Sequence, residues 1–180
     1  MKNNVISKID KDHLRIIRGN VSRFLKKCGR KYDKKGLLLD IAPQDHEGAI
    51  PYFKKMTIQT LDINKKSGAT FIADICKKNN KIISSNVYNL VVCTEVLEHT
   101  LEPFAAVEEI YRILKKGGML LLSVPFNFRI HGPLPDCWRF TEHGLISLLK
   151  KFEIIEIDGI ETRNRWLMPV CYTVIARKNK

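Results

Sequence analysis

The chain lacks any apolar run approaching the roughly 20 residues needed to span a bilayer. Its start, MKNNVISKIDKDH, has no signal-peptide core. Both absences point to a cytoplasmic protein with no membrane span. There is no Cys-x-x-Cys pair: Cys28, Cys76, Cys93, Cys137 and Cys171 are odd in number and scattered. A disulfide framework and a zinc knuckle are thereby excluded, and reduced thiols are expected. No Gly-x-Gly-x-x-Gly is present, which removes the fingerprint of a nicotinamide-binding oxidoreductase. Internal repeats and low-complexity tracts are absent too. Acidic residues are scarce, 19 Asp and Glu against 31 Lys and Arg, for a net charge of +12.

What is present suits one globular domain over residues 1–180. The length allows a proper core, and 44% apolar with 28% charged residues is ordinary for a soluble fold. The charge is uneven. Residues 1–35 hold twelve Lys or Arg against Asp10, Asp12 and Asp33, a balance of +9, and are set apart as a basic helical segment ahead of a core over 36–180. RNA, a phosphorylated metabolite or an acidic membrane surface would suit that charge, and so would a merely solvated basic face. Phe24 and Tyr32 are the only aromatics in the segment, and no RNA-binding module is recognisable.

The chain is organised around residues 90–126, LVVCTEVLEHTLEPFAAVEEIYRILKKGGMLLLSVPF. An apolar strand over 90–93 is followed by a helix over 102–114, with Phe104, Val107, Ile110, Tyr111 and Leu114 on one face. Gly117 and Gly118 end the helix, and 119–124 return as a second buried strand. Strand, crossover helix and strand make a parallel unit of right-handed connection, whose chemistry belongs beyond the carboxyl ends of the strands. Upstream, residues 12–27 read as a helix carrying Leu14, Ile17, Val21, Phe24 and Leu25 on one stripe, with Cys28-Gly29 as its stop; the stripe is expected to pack on the core, a lid or substrate contact being the alternative. Strands are expected at 36–41, 57–61 and 69–73, with a short helical turn over 46–53. Downstream come a helix over 141–151 capped by Thr141, strands at 153–157 and 170–176, and a polar connection over 158–169.

The order EVLEH, EEIYRILKKGG, LLLSVPF and HGPLPDCWRFTEHGL resembles the second half of class I S-adenosylmethionine-dependent methyltransferases, with the likeness covering residues 36–177. It implies a Rossmann-like α/β fold: a mostly parallel seven-stranded sheet with an antiparallel last strand and helices on both faces. It also implies S-adenosylmethionine as cofactor, approached by the turn after the first strand. That turn reads Asp40-Ile41-Ala42-Pro43-Gln44, with Ala42 and Pro43 where the family has glycines. Glycine admits positive φ and leaves no side chain against a ligand, whereas Pro43 fixes its own φ and offers no N–H.

Asp62, followed by Ile63, lies 22 positions after Asp40, near the roughly 20-residue offset of a ribose-binding carboxylate. A plain strand-end aspartate is the alternative. Asp74 and Ile75 take the place of the family's adenine contacts, and Thr94 and Glu95 stand where its cofactor passes the fourth strand. If residues 95–99 form one helical turn, Glu95, Glu98 and His99 share a face able to ligate Mg²⁺ or Mn²⁺. The spacing is similar to that in ubiquinone-pathway O-methyltransferases and small-RNA 2′-O-methyltransferases, and His131 could complete the set. Otherwise Glu98 caps and His99 packs.

The proline-rich stretch 125–138 reads as a substrate lid, with His131, Asp136 and Arg139 facing the acceptor, His131 and His99 as catalytic candidates, and Trp138 and Phe140 as anchors. The expected activity is methyl transfer to oxygen of a small molecule or glycan. The alternatives are a cofactor- or substrate-binding member without turnover, and an RNA methyltransferase using the basic amino-terminal segment.

Overall fold

The computed structural model describes residues 6–43 and 48–179. Its centre is a seven-stranded sheet built from β1 (Gly36–Ile41), β2 (Met56–Asp62), β3 (Phe71–Ile72), β4 (Tyr88–Thr94), β5 (Leu114–Pro125), β6 (Phe152–Thr162) and β7 (Arg165–Lys178). The order across the sheet is β3-β2-β1-β4-β5-β7-β6. β1 to β5 pair in parallel, and β7 runs antiparallel to both β5 and β6. β1, β4 and β5 are buried on both faces, which is why they read as unbroken apolar runs.

Helices cover both faces. α1 (Lys8–Tyr32) lays Phe24, Leu25 and Cys28 on Leu38, Leu90, Val92, Leu121 and Ile175. On the other face α2 (Pro103–Ile113) and α3 (Glu142–Leu148) bury Val107, Ile110, Leu145 and Leu148 against Leu39, Val91, Leu120 and Leu122. Thr141 caps α3 by accepting from the Gly144 N–H at 3.1 Å.

Several expectations need correction. α1 does not stop at Cys28-Gly29. Gly29 is buried within it, where a Cβ would meet the Tyr52 carbonyl oxygen at 2.3 Å, so this glycine serves close packing rather than a cap. The described part of residues 1–35 supplies one face of the core, as expected of this leading helix. α2 ends at Ile113, not at the glycines. β5 begins immediately, and its pairing with β4 shifts register between Tyr88 and Leu90, with Gly117 at φ 74 on the irregular stretch. Phe104 is exposed, and Ala106 and Ile113 occupy the buried face instead.

β3 has only two residues, and the chain between Cys76 and Val87 carries no regular helix. The supposed polar connection over 158–169 is mostly strand, because β6 and β7 continue as a hairpin that turns over Arg163 and Asn164. Of the turn expected at 46–53, residues 46 and 47 lie outside the described residues, as does Gln44. The remainder is a turn closed by Tyr52 and Phe53 N–H on the Ala49 carbonyl.

Candidate functional site

The tips of β1, β2 and β4 open on a cavity of about 790 Å³, bounded by the inner stripe of α1 and by the loop after β5. Ala42 holds φ 50, the left-handed conformation that an L residue adopts at a cost of about 1–3 kcal/mol. Its N–H still donates to Leu61 O at 2.8 Å. The turn thus keeps the glycine geometry without the glycine. The glycine that this turn does require is Gly48: its φ is 53, and a Cβ there would lie 2.2 Å from Asp40 Oδ2.

Asp40 is accordingly not a cavity residue. Its Oδ2 accepts from the Ala49 N–H at 2.7 Å, and burial pushes its carboxyl up to about 7, against that bond. The expected cofactor contact becomes a clamp on the turn behind Ile41, Ala42 and Pro43, which do line the cavity. Asp62 faces the cavity with Ile63. Its Oδ1 accepts from Asn64 N at 2.7 Å, while Oδ2 is buried with no partner among the described residues. Asp74 and Ile75 line the same wall, Asp74 Oδ1 accepting from Cys76 N at 2.8 Å. Thr94 and Glu95 complete the strand-tip side.

At the opposite end the expected one-faced turn does not form. Residues Leu97–His99 make a 3₁₀ turn, and Glu95, at φ 55, stands before it and accepts from Ser123 Oγ at 2.7 Å. Burial pushes Glu95 up to about 7, opposed by the Ser123 bond and by Arg139. Glu95 therefore leaves the supposed ligand set. Glu98, His99 and His131 stay together, each with a ligating atom within 4.8 Å of the others. Glu98 is fully buried behind the cavity wall; neither carboxylate oxygen has a hydrogen-bond partner among the described residues, and His99 Nε2 lies 3.8 Å from Oε1. Burial, then the neighbouring Glu95, drives its carboxyl well above the usual range.

His99 Nδ1 lies 2.9 Å from Pro135 O, a contact it makes only as a donor, so its lone pair falls on Nε2. His131 Nδ1 lies 3.0 Å from Asp136 Oδ2 and 3.3 Å from Arg129 O, which places its lone pair on Nε2 as well. Burial holds the His131 imidazole below its ordinary value, against the pull of Asp136 and with help from His99. The two rings meet edge to face at 4.8 Å.

Asp136 and Arg139, expected at the acceptor, are instead spent on the loop. They pair in bidentate fashion at 2.5 and 2.7 Å, and the Arg139 guanidinium also donates to the carbonyls of Phe128, Arg129 and Trp138. Neither lines the cavity. Trp138 Nε1 donates to Thr100 O at 2.8 Å, and its backbone N–H and that of Cys137 reach Glu98 O, pinning the loop on the 3₁₀ turn. Reading the sequence missed that Leu14, Ile17 and Val21 of α1, with Phe128, line the cavity. Their stripe was visible, but a stripe does not say whether it faces core or ligand.

The family model "Methyltransferase domain" matches residues 18–157. No curated protein matches the sequence. Among solved structures, the [4+2]-cyclase SpnF is similar at TM-score 0.70 and 15% identity, over 87% of this chain and 80% of that chain. A SAM-dependent methyltransferase from Methanosarcina mazei is similar at TM-score 0.63 and 17% identity, over 83% of this chain and 95% of that one. The CurJ carbon methyltransferase is similar at TM-score 0.66 and 15% identity, over 93% and 55%. At these identities the likeness speaks to the fold alone.

Proposed function

Since the chain belongs to the methyltransferase domain family and is an S-adenosylmethionine-dependent methyltransferase, we propose that its acceptor is an oxygen of a small molecule or glycan. The observation that carries this reading is His131 at the cavity wall, held from behind by Asp136: a half-buried imidazole kept below its ordinary pKa, with Nδ1 engaged and Nε2 open. A base is useful when the nucleophile is a hydroxyl, which must lose a proton as it attacks.

The residues present fit the cofactor. The unpartnered Asp62 Oδ2 supplies an acceptor for ribose hydroxyls, Asp74 and Ile75 offer an acceptor and an apolar face to adenine, and Ile41 to Pro43 with Thr94 and Glu95 border the rest. When bound, S-adenosylmethionine supplies a methyl group already activated on a sulfonium. The protein's work is then to align the acceptor, exclude water and take its proton. α1 and Phe128 close the apolar side, and His131 Nε2 receives the proton while Asp136 holds the ring. His99, whose Nδ1 is tied to Pro135, presents Nε2 from the neighbouring side.

A metal-assisted version is favoured by one further observation, the two bare Glu98 oxygens beside two imidazole lone pairs. Glu98, His99 and His131 would hold Mg²⁺ or Mn²⁺, and such an ion would make an acceptor hydroxyl more acidic. Calorimetry with Mn²⁺ tests it: Glu98→Gln abolishes binding if the ion sits there, and an unchanged affinity dismisses the metal.

The acceptor is tested with methyl-labelled S-adenosylmethionine and a panel of phenols, sugars, amines and RNA oligonucleotides. The expected product is an alkali-stable methyl ether, and His131→Ala lowers its rate by about 10²-fold while affinity for the demethylated cofactor is retained. Label on nitrogen, carbon or RNA would overturn the reading.

A further inference from the structure

The sheet edge that carries the cavity also carries a second feature outside it. β6 runs parallel to β1–β5, so its end and the start of β7 project from the same edge as the tips of β1, β4 and β5. The hairpin turns with Asn164 at φ 58, and Leu167 is held at φ 56, a conformation a bulky side chain rarely takes. Its tip leaves Trp166 86% and Leu167 69% exposed. The adjoining loop leaves Ile130 71% and Leu134 75% exposed. The two segments are tied at their bases by Asn127 Nδ2 donating to Thr162 Oγ1 at 2.9 Å and Phe126 N to Val170 O at 2.9 Å.

The start of α1 is drawn to the same edge, with His13 Nδ1 2.8 Å from Asn127 O and Arg129 3.7 Å from Asp10. Lys8, Lys11, Arg129, Arg163 and Arg165 are all exposed around these apolar tips. Single exposed apolar residues are ordinary, but four large ones concentrated on two linked protrusions are not, and the cations beside them outnumber the acids, Asp10 and the exposed Glu161.

We propose that this edge docks on an anionic lipid surface, with Trp166, Leu167, Ile130 and Leu134 entering the headgroup layer and the surrounding arginines and lysines meeting lipid phosphates. The chemistry matches part by part. Tryptophan favours the membrane interface, aliphatic tips gain by leaving water, and a chain of net charge +12 is drawn to a negative bilayer. Protrusions suit a fluid layer that closes around them, whereas a nucleic acid would call for a run of stacking aromatics; here the two exposed tryptophans are Trp166 on the hairpin and Trp138, which is pinned to Thr100 at the base of the loop. Docking in this pose would set the loop that walls the cavity, Phe128 to Pro135, against the bilayer.

Sedimentation of the full chain with vesicles tests the proposal independently of methyl transfer. Vesicles of phosphatidylglycerol and phosphatidylcholine in equal parts should bind at least about tenfold more tightly than phosphatidylcholine alone. The double variant Trp166→Ser, Leu167→Ser should lose about tenfold of that affinity. Its thermal unfolding and its affinity for the demethylated cofactor should be unchanged, because both side chains stand in solvent. Equal or absent binding to the two vesicles overturns the proposal. So does a double variant that binds like the parent, which would mean adsorption by net charge alone. Binding to a homopolymeric RNA in place of vesicles would assign the edge to nucleic acid and overturn it as well.

Discussion

An aspartate with one carboxylate oxygen bonded and the other bare is a costly thing to bury. Asp62 is such a residue, and the cost makes sense if a ligand completes it. Asp62→Asn keeps the bond from Asn64 and removes the second acceptor. It is expected to lower affinity for S-adenosylhomocysteine by about tenfold or more, since a hydrogen bond to a charged group is worth about 1.5–3 kcal/mol. The same variant should leave the unliganded melting temperature unchanged or raise it. Calorimetry and thermal denaturation check both, and a loss of stability with intact affinity would give Asp62 a purely structural role.

Asp40 behaves differently, because its charge faces no ligand. Burial raises its carboxyl from 3.8 to about 7 in the folded chain, so between those values the native state holds a proton that the unfolded state has released. Its contribution to stability is fully present below about 4 and is lost as the pH rises through about 7. Asp40→Asn removes this dependence while retaining an acceptor for the Ala49 N–H. The melting temperature of the variant should exceed that of the parent by a margin that widens from about pH 5 to about pH 7 and is level above it. A constant margin would show that Asp40 is ionised throughout.

Among the elements, α1 shows how a local signal yields to packing. Cys28-Gly29 has the look of a helix end, yet Gly29 is the position at which α1 lies against the backbone of Tyr52. Gly29→Ala would improve helix propensity in isolation, but the Cβ has no room, and overpacking costs typically about 1–3 kcal/mol. At about 2–4 °C per kcal/mol for a chain of this size, the melting temperature should fall by several degrees. A rise would show that Tyr52 gives way easily.

The elements legible in the sequence were those with two buried faces or one strong stripe. β1 stands where its apolar run lies, and Asp62 and Asp74 come to the expected strand tips. What could not be read depends on pairing across the chain. The β6–β7 hairpin tip has solvent on both sides and so no alternation, and Glu95 adopts a left-handed φ that glutamate does not announce. Asp136 and Arg139 look like recognition residues until the fold sets them against each other.

For the whole molecule, the decisive relation is between the basic amino-terminal segment and the core. By charge alone residues 1–35 suit either an anionic partner or a solvated basic face. In the fold, α1 turns its charged side outward and buries Ile17, Phe24, Leu25 and Cys28, covering Leu38, Leu90, Val92 and Leu121 together with Ala49 and Phe53 of the following turn. Each such side chain contributes about 1.5–3 kcal/mol when fully buried. Three or four of them are comparable to the roughly 5–15 kcal/mol by which a domain of this kind is stable. The same helix also walls the cavity through Leu14, Ile17 and Val21, so the core and the cavity share one element. Deleting residues 1–35 should therefore abolish the cooperative calorimetric transition and increase binding of an apolar dye, rather than yield a folded protein that has lost one partner. A truncated chain that still melts cooperatively and binds S-adenosylhomocysteine would make α1 a removable cover, and the apolar wall of the cavity would then be a property of the lid and not of the core.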